Sequence, residues 1–227
     1  METPFRCGST SYNARGGPGV TGVTFPSAAR SRDMDRETEI ALVCRLREGD
    51  AAAFDAVYEA FRTPLFTFLL RMSRHRDVAE DLFEETWLRL VKHARRLRPD
   101  TRLAAWLFTV ARHLHVSYVR SRIVEESSAA SLMALWPFSI ERSSPFEAAA
   151  ASELQRRIER ALASMPAASR EVLLLIAVAG LDQADAADVC GITPEALRQR
   201  LSRARARLAR ALDDGRSGAR VLEEVTP

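Results

Sequence analysis

Between Ala196 and Ala211 the chain carries Arg198, Arg200, Arg203, Arg205, Arg207 and Arg210 and no acidic residue. Arginine presents a planar fork of donors that fits phosphates and base edges two contacts at a time. A run of them without countercharges is therefore chemistry for a polyanion. A merely solvated helix mixes signs and gains i,i+4 pairs, and this one forgoes them. At 100° per residue, Leu197, Leu201, Ala204, Leu208 and Leu212 fall on one apolar stripe. Arg200, Arg203, Arg207 and Arg210 line one flank of that stripe, and Arg198 and Arg205 the other. Glu195, Arg198, Gln199 and Ser202 sit near the helix start, the end that reaches base edges in a major groove. Arg203 and Arg207 lie further along, where phosphates are the nearer target.

Two more charged groups stand upstream. Asp77, Glu80, Asp81, Glu84 and Glu85 share the outer face of one periodic segment. Compensation of the helix dipole accounts for the first of them; the later ones call for a basic partner. Lys92, Arg95, Arg96, Arg98 and Arg102 then surround Pro99-Asp100, and Arg112, Arg120 and Arg122 follow beyond Trp106. An acidic face and a basic, aromatic-bearing edge on one small unit point to two different partners. Trp87, Trp106 and Phe83 are expected to lie mainly in the core.

Catalysis finds no footing. The sequence has no phosphate-binding loop, HExxH or GxSxG motif and almost no strand signal on which an enzyme site of the α/β kind is built. His113 and His115 are two apart on a helical pattern and diverge, while His75 and His93 lack ligand neighbours. Cys7, Cys44 and Cys190 are widely spaced, with no CxxC, so neither a disulfide framework nor a zinc site is indicated. The expectation is a non-enzyme with no catalytic group, metal or cofactor. The net charge is only +3, so the basic excess is local, which fits phosphate contact at patches better than a general coating. There is no 18-residue apolar run and no signal-peptide pattern, so the expected location is the cytoplasm.

Helical segments position these groups, and the fold class expected is all-α, as two small domains. Residues 1–34 are rich in Gly, Ser, Pro and Arg and read as a disordered extension, with Met34 standing as an alternative start just before the first periodic segment. Residues 35–122 form the first domain. In it, a helix from Arg36 ends near Gly49, Asp50 caps the next, Pro64 bends or restarts that one, and Asp100 or Thr101 caps the last. The apolar pattern from Leu82 to Ala94 takes in Val91. Residues 123–151 form a linker whose Trp136 and Phe138 are too apolar for a free tether. Residues 152–213 form a four-helix unit with a helix-turn-helix: Asp182 caps, Gly191 stops, Thr193 caps again and Pro194 takes the first helical position. Residues 214–227 read as a flexible tail.

This arrangement resembles the sigma factors of bacterial RNA polymerase, specifically the small extracytoplasmic-function class that retains regions 2 and 4. The resemblance covers about Ala52 to Leu212. It is carried by Ala79-Glu80-Asp81-Leu82-Phe83-Glu84-Glu85-Thr86-Trp87, by Trp106-Leu107-Phe108-Thr109-Val110-Ala111-Arg112, by Met165-Pro166 with Arg170-Glu171-Val172-Leu173, and by Arg200-Leu201-Ser202-Arg203-Ala204-Arg205. It implies a transcription initiation factor whose partners are core RNA polymerase, promoter DNA and an anti-sigma factor, without membrane insertion. Asp77, Asp81, Glu84 and Glu85 would dock on polymerase. Arg98, Arg102, Trp106, Arg112, His113 and Arg120 would open and read the downstream (−10) element. Thr193, Glu195, Arg198, Gln199, Ser202, Arg203 and Arg207 would meet the upstream (−35) element. Glu84 stands where Gln is usual, His113 where Asn is, Ser117 where Asp is; Ala184, Ala186 and Ala196 replace Glu, Ile and Thr. These changes bear on promoter preference rather than on the fold. Two other readings remain at this point. A polymerase-independent helix-turn-helix regulator would leave the acidic face and the Trp106 segment unused, and a helical protein-binding adaptor would leave the arginines merely solvated.

Overall fold

The computed structural model describes residues 35–129 and 153–223, and every regular element among them is helical. The first domain comprises α1 (Arg36–Glu48), α2 (Ala51–Ser73), α3 (Arg76–His93), a 3-10 turn at Ala94–Arg96 and α4 (Leu103–Ala129). The second comprises α5 (Glu153–Ser164), α6 (Ala167–Ala177), α7 (Gln183–Cys190) and α8 (Pro194–Glu223).

Local chemistry sets most boundaries. Asp35 caps α1 by accepting from the Thr38 amide at 2.8 Å, and the helix ends at Gly49, whose φ of 83° suits a residue without Cβ. Asp50 then accepts from the Ala52 amide at 2.8 Å and starts α2. Arg45 binds the other Asp50 oxygen, and this hydrogen bond with the amide contacts holds the carboxyl below its ordinary range.

Pro64 neither restarts nor ends α2, which runs unbroken from Ala51 to Ser73. Proline inside a helix costs about 3 kcal/mol. Here Pro64 is itself buried, and Phe61, Leu65, Phe68 and Leu69 beside it are almost wholly enclosed. Burying one such side chain contributes about 1.5–3 kcal/mol, so packing outweighs the lost hydrogen bond. The Phe68 and Phe108 rings meet edge to face at 5.3 Å and tie α2 to α4.

Three other expectations need correction. Neither Asp100 nor Thr101 caps α4; Asp100 is taken by Arg98, and the Leu103 amide instead donates to Glu39 from α1. Helix α4 continues to Ala129 rather than ending at Arg122, and α8 continues to Glu223 rather than fraying after Asp214. Glycine costs only about 1 kcal/mol in a helix, so Gly215 and Gly218 do not break one that is already propagating. The linker segment with Trp136 and Phe138, and the N-terminal extension, lie outside the described residues.

The domains touch. Helix α2 packs on α6 and α4 packs on α7, and one apolar cluster runs from Leu42 through Phe108 to Ala204. Polar contacts cross the same seam. Arg71 reaches Glu159 at 2.6 Å, Arg170 donates to the Arg71 carbonyl at 2.9 Å, and Arg112 reaches Glu171 at 2.9 Å.

Candidate nucleic-acid and polymerase interface

The helix-turn-helix is built by its caps. Asp182 accepts from the Asp185 amide at 2.8 Å and opens α7. Gly191, at φ 64°, closes it and donates to the Ala187 and Asp188 carbonyls. The Thr193 hydroxyl accepts from the Ala196 amide at 3.2 Å, and Pro194 begins α8. Leu197, Leu201 and Ala204 are buried against the rest of the domain, so this stripe fixes the rotation of α8.

That rotation leaves Glu195, Arg198, Gln199, Ser202, Arg203, Arg205 and Arg207 exposed. The two ends of the face differ. Arg198 pairs with Glu195 at 2.5 Å, whereas Arg203 donates to the Gln199 amide oxygen at 3.3 Å. Exposed i,i+3 pairs are worth a fraction of a kcal/mol and yield to a stronger acceptor. A cleft of about 290 Å³ lies between the start of α6 and this helix, lined by Ser169, Gln199, Arg200, Arg203 and Arg207. Its lining offers guanidinium and hydroxyl donors, the groups that take a phosphate.

The acidic face of α3 forms as the spacing requires. Asp77, Glu80, Asp81 and Glu84 are exposed and Glu85 is half-buried. It is not uniformly free charge: Arg76 pairs with Glu80 and Arg89 with Glu85, each at 2.9 Å, and the Arg89 hydrogen bond holds the Glu85 carboxyl below its ordinary range. Val91, expected in the core, is 58% exposed, and Leu88 is 51% exposed beside the acids. The buried stripe passes through Trp87, Leu90 and Ala94, and Val91 lies 100° off Leu90. The surface is thus mixed, carboxylates with two apolar side chains.

The six residues expected at the downstream element divide. Arg98, His113 and Arg120 are exposed, and Trp106 is half-buried with its ring 6.5 Å from that of His93. Arg102 and Arg112 face the second domain instead. The Arg102 guanidinium lies 2.6 Å from Asp185 and 3.3 Å from Asp182, and Arg112 meets the buried carboxylate of Glu171. Sequence reasoning assigned no contact role to Arg71, or to Arg170 and Glu171 beyond their place in a family motif. The available signal was Arg170-Glu171 opening an otherwise apolar helix, since charges placed there need partners.

Two titratable groups sit at this seam. His115 is buried, and desolvation holds its imidazole below the ordinary 6.5, with Arg170 and Arg112 adding to the effect against a hydrogen bond with the Met72 backbone. The Cys190 thiol lies 3.8 Å from Glu171, and burial with that carboxylate pushes it up to about 12.

This fold, two helical units with a helix-turn-helix in the second, defines a class. Residues 57–123 match Sigma-70 region 2 and residues 155–208 match Sigma-70 region 4. The chain belongs to the extracytoplasmic-function (ECF) sigma factors of the sigma-70 family, which are transcription initiation factors and not catalysts. It is 33% identical over 150 residues to ECF RNA polymerase sigma factor EcfG of Rhodopseudomonas palustris, covering 65% of this chain and 78% of that protein. It is 31% identical over 196 residues to ECF RNA polymerase sigma factor SigC of Mycobacterium tuberculosis, covering 81% of this chain and 97% of that one.

Among solved structures, the fold is similar to the sigma factor RpoE in complex with the anti-sigma factor NepR from Bartonella quintana. The TM-score is 0.55 at 30% identity, over 66% of this chain and 89% of that one. CnrH, solved with the cytosolic domain of CnrY, shares the fold at a TM-score of 0.58 and 20% identity, over 78% of this chain and 97% of that one. Family membership sets aside the polymerase-independent regulator and the adaptor. The chain directs RNA polymerase to promoters through regions 2 and 4.

Proposed function

We propose that the mixed face of α3, with Asp77, Asp81, Glu84 and Glu85, docks on core RNA polymerase. The segment from Arg98 through Trp106 to Arg120 then opens and reads the downstream promoter element. The start of α8, with Thr193, Glu195, Arg198, Gln199, Ser202, Arg203 and Arg207, meets the upstream element. The observation carrying this reading is the arginine-rich surface of α8, without an acid from Ala196 to Ala211, left outward by its buried stripe and opened by a proline after a threonine cap. Arginine and aromatic side chains at Arg98, Trp106 and His113 suit unstacked bases, which present π-faces and free edges.

An anti-sigma factor is a proposed partner, supported by the RpoE–NepR relative, whose sigma chain this one resembles at 30% identity. The protein acts in the cytoplasm, where polymerase and promoter are, and carries out no catalysis of its own. Among the described residues no helix is long and apolar enough to cross a membrane.

Run-off transcription tests this reading. Purified chain plus core polymerase is expected to produce a defined transcript from the promoter upstream of its own gene, with none from core alone. Stoichiometric core binding without promoter-dependent initiation on any template of a genomic fragment library would overturn it.

A further inference from the structure

We propose that Glu39, held by Arg36, is a positioning residue for the promoter-reading segment of region 2, acting from a helix outside both matched family regions. The proposal rests on the reading of Arg98–Trp106 as the downstream-element reader. Helix α1 precedes the region 2 match, which begins at residue 57. It is nevertheless anchored in the core by Leu42, Val43 and Leu46 and packs on α2 and the 3-10 turn.

One turn before that anchor, on the same side of α1, Glu39 and the adjoining Arg36 reach the reading segment at two points. Glu39 Oε1 accepts from the Leu103 amide at 2.7 Å, and Arg36 donates to the Asp100 carbonyl at 2.5 Å. Arg36 also binds the second Glu39 oxygen at 2.6 Å, so the two side chains form one clasp. The Glu39 side chain is only 14% exposed.

The clasp replaces a cap that the segment does not supply for itself. A helix start leaves amides without partners, and a neighbouring Asp or Thr usually serves them. Here Asp100 is engaged by Arg98 at 3.1 Å through both oxygens, so the carboxylate at the α4 start comes from 64 residues away. A carboxylate at that end also complements the helix dipole. Fixing Leu103 fixes the first turn of α4, in which the Trp106 amide donates to the Arg102 carbonyl at 2.9 Å. The direction of Trp106 and the exit of the Arg98–Arg102 loop therefore depend on a side chain of α1. Mis-set by an ångström, a reading segment loses affinity for an unstacked base while the domain core is untouched.

The test uses the full chain with core polymerase, comparing wild type, E39A, E39Q, R36A and R98A. Open-complex formation is read by permanganate reactivity on a duplex promoter and on the same promoter carrying a preformed bubble. Core affinity and unfolding midpoint are measured alongside. E39A is expected to lower opening of the duplex about fivefold, the factor a lost helix cap is worth. It should leave core affinity unchanged and matter less on the bubble. E39Q keeps an oxygen for the Leu103 amide and is expected to restore most of the activity; R36A, at an exposed site, should give a smaller loss of the same kind.

Wild-type opening by E39A and R36A overturns the proposal, as does an equal loss on duplex, bubble and core binding. If R98A impairs opening while E39A and R36A do not, the clasp is refuted and the reading segment stands. If none of the three impairs it, the reading itself has failed, and the clasp with it.

Discussion

Arg102 of region 2 lies 2.6 Å from Asp185 and 3.3 Å from Asp182, both at the start of the first helix of the helix-turn-helix. Two carboxylates thus hold a guanidinium proposed for the promoter, in the manner of phosphate oxygens. Arg112, also proposed for the downstream element, is held by Glu171. In this conformation the second domain covers two of the residues proposed to read the promoter, and on that proposal engagement of DNA competes with these pairs.

Neutralising the acids loosens that contact. D182N keeps a good N-cap for α7, and D185N is close to isosteric, so the helix-turn-helix persists. Since Arg102 is half exposed, each pair contributes under about 1 kcal/mol. The double variant is expected to show a larger radius of gyration by small-angle scattering at low salt, and wild type should approach it as salt rises. Identical curves at every salt concentration would show that the Arg102 pairs do not hold the domains together, leaving apolar packing and the contacts of Arg71, Arg112 and Arg170.

His115 gives the seam a pH dependence. Its folded pKa is depressed, so the native state binds fewer protons than the unfolded one near the ordinary value of 6.5. Its contribution is fully present above that value and is lost as pH falls below it. Protonation would add a third cation beside Arg112 and Arg170. Asp185 has the opposite sign, since burial and then Asp182 raise its carboxyl from 3.8 despite Arg102, but its effect belongs to the acid range. The unfolding midpoint of wild type should drop between about pH 7.5 and about pH 5.5, and that of H115Q should drop less. Parallel profiles would place the dependence elsewhere.

Cys190 should be inert. With its thiol pushed up to about 12, almost no thiolate exists at neutral pH, and the side chain is buried at the helix-turn-helix turn. Alkylation with iodoacetamide followed by peptide mass mapping should find Cys190 unlabelled in the native chain and labelled in denaturant. Labelling in the native chain at the rate of a free thiol would show that the turn opens readily.

On α3, charge reversal at Asp81 and Glu85 should separate docking from folding. The D81K/E85K variant is expected to keep its helicity, because both residues lie off the buried stripe of Val78, Leu82 and Leu90. Fluorescence titration with core polymerase should show weakened binding that depends on salt. Unchanged affinity would reduce the acidic face to solvated surface and leave Leu88 and Val91 as the docking groups to test.

The helix-turn-helix was legible residue by residue because its signals are local: Asp182, Gly191, Thr193 and Pro194 each act within a turn of their own position. The stripe of Leu197, Leu201 and Ala204 was legible for the same reason, since period alone sets the face. What the sequence hid depends on distant partners. Asp100 looks like the cap of α4 until Glu39 arrives from α1, 64 residues away, to take the Leu103 amide. Pro64 looks like a break until the burial of Phe61, Leu65 and Phe68 is weighed against it. Arg102 and Arg112 look like free cations until a second domain brings Asp185 and Glu171 to them.

The recognition helix offers a test of readers against anchors. Arg198 sits near the start of α8, exposed and, among the described residues, paired with Glu195 of its own helix. Arg203 and Arg207 line the cleft that reaches Ser169 at the start of α6, where a phosphate is the nearer target. Releasing Arg198 from an exposed pair costs little, so it remains available for a base edge, and a good bidentate contact is worth about 1–3 kcal/mol of discrimination. R198A should therefore lose most of its affinity on the cognate upstream element and little on a scrambled duplex. R203A should weaken both duplexes nearly equally and reduce the salt slope by about one unit, as the loss of one phosphate contact does. Binding isotherms of both variants on both duplexes across a salt series decide the matter. The assignment fails if R198A loses the same free energy on the two duplexes, or if the loss in R203A is confined to the cognate one.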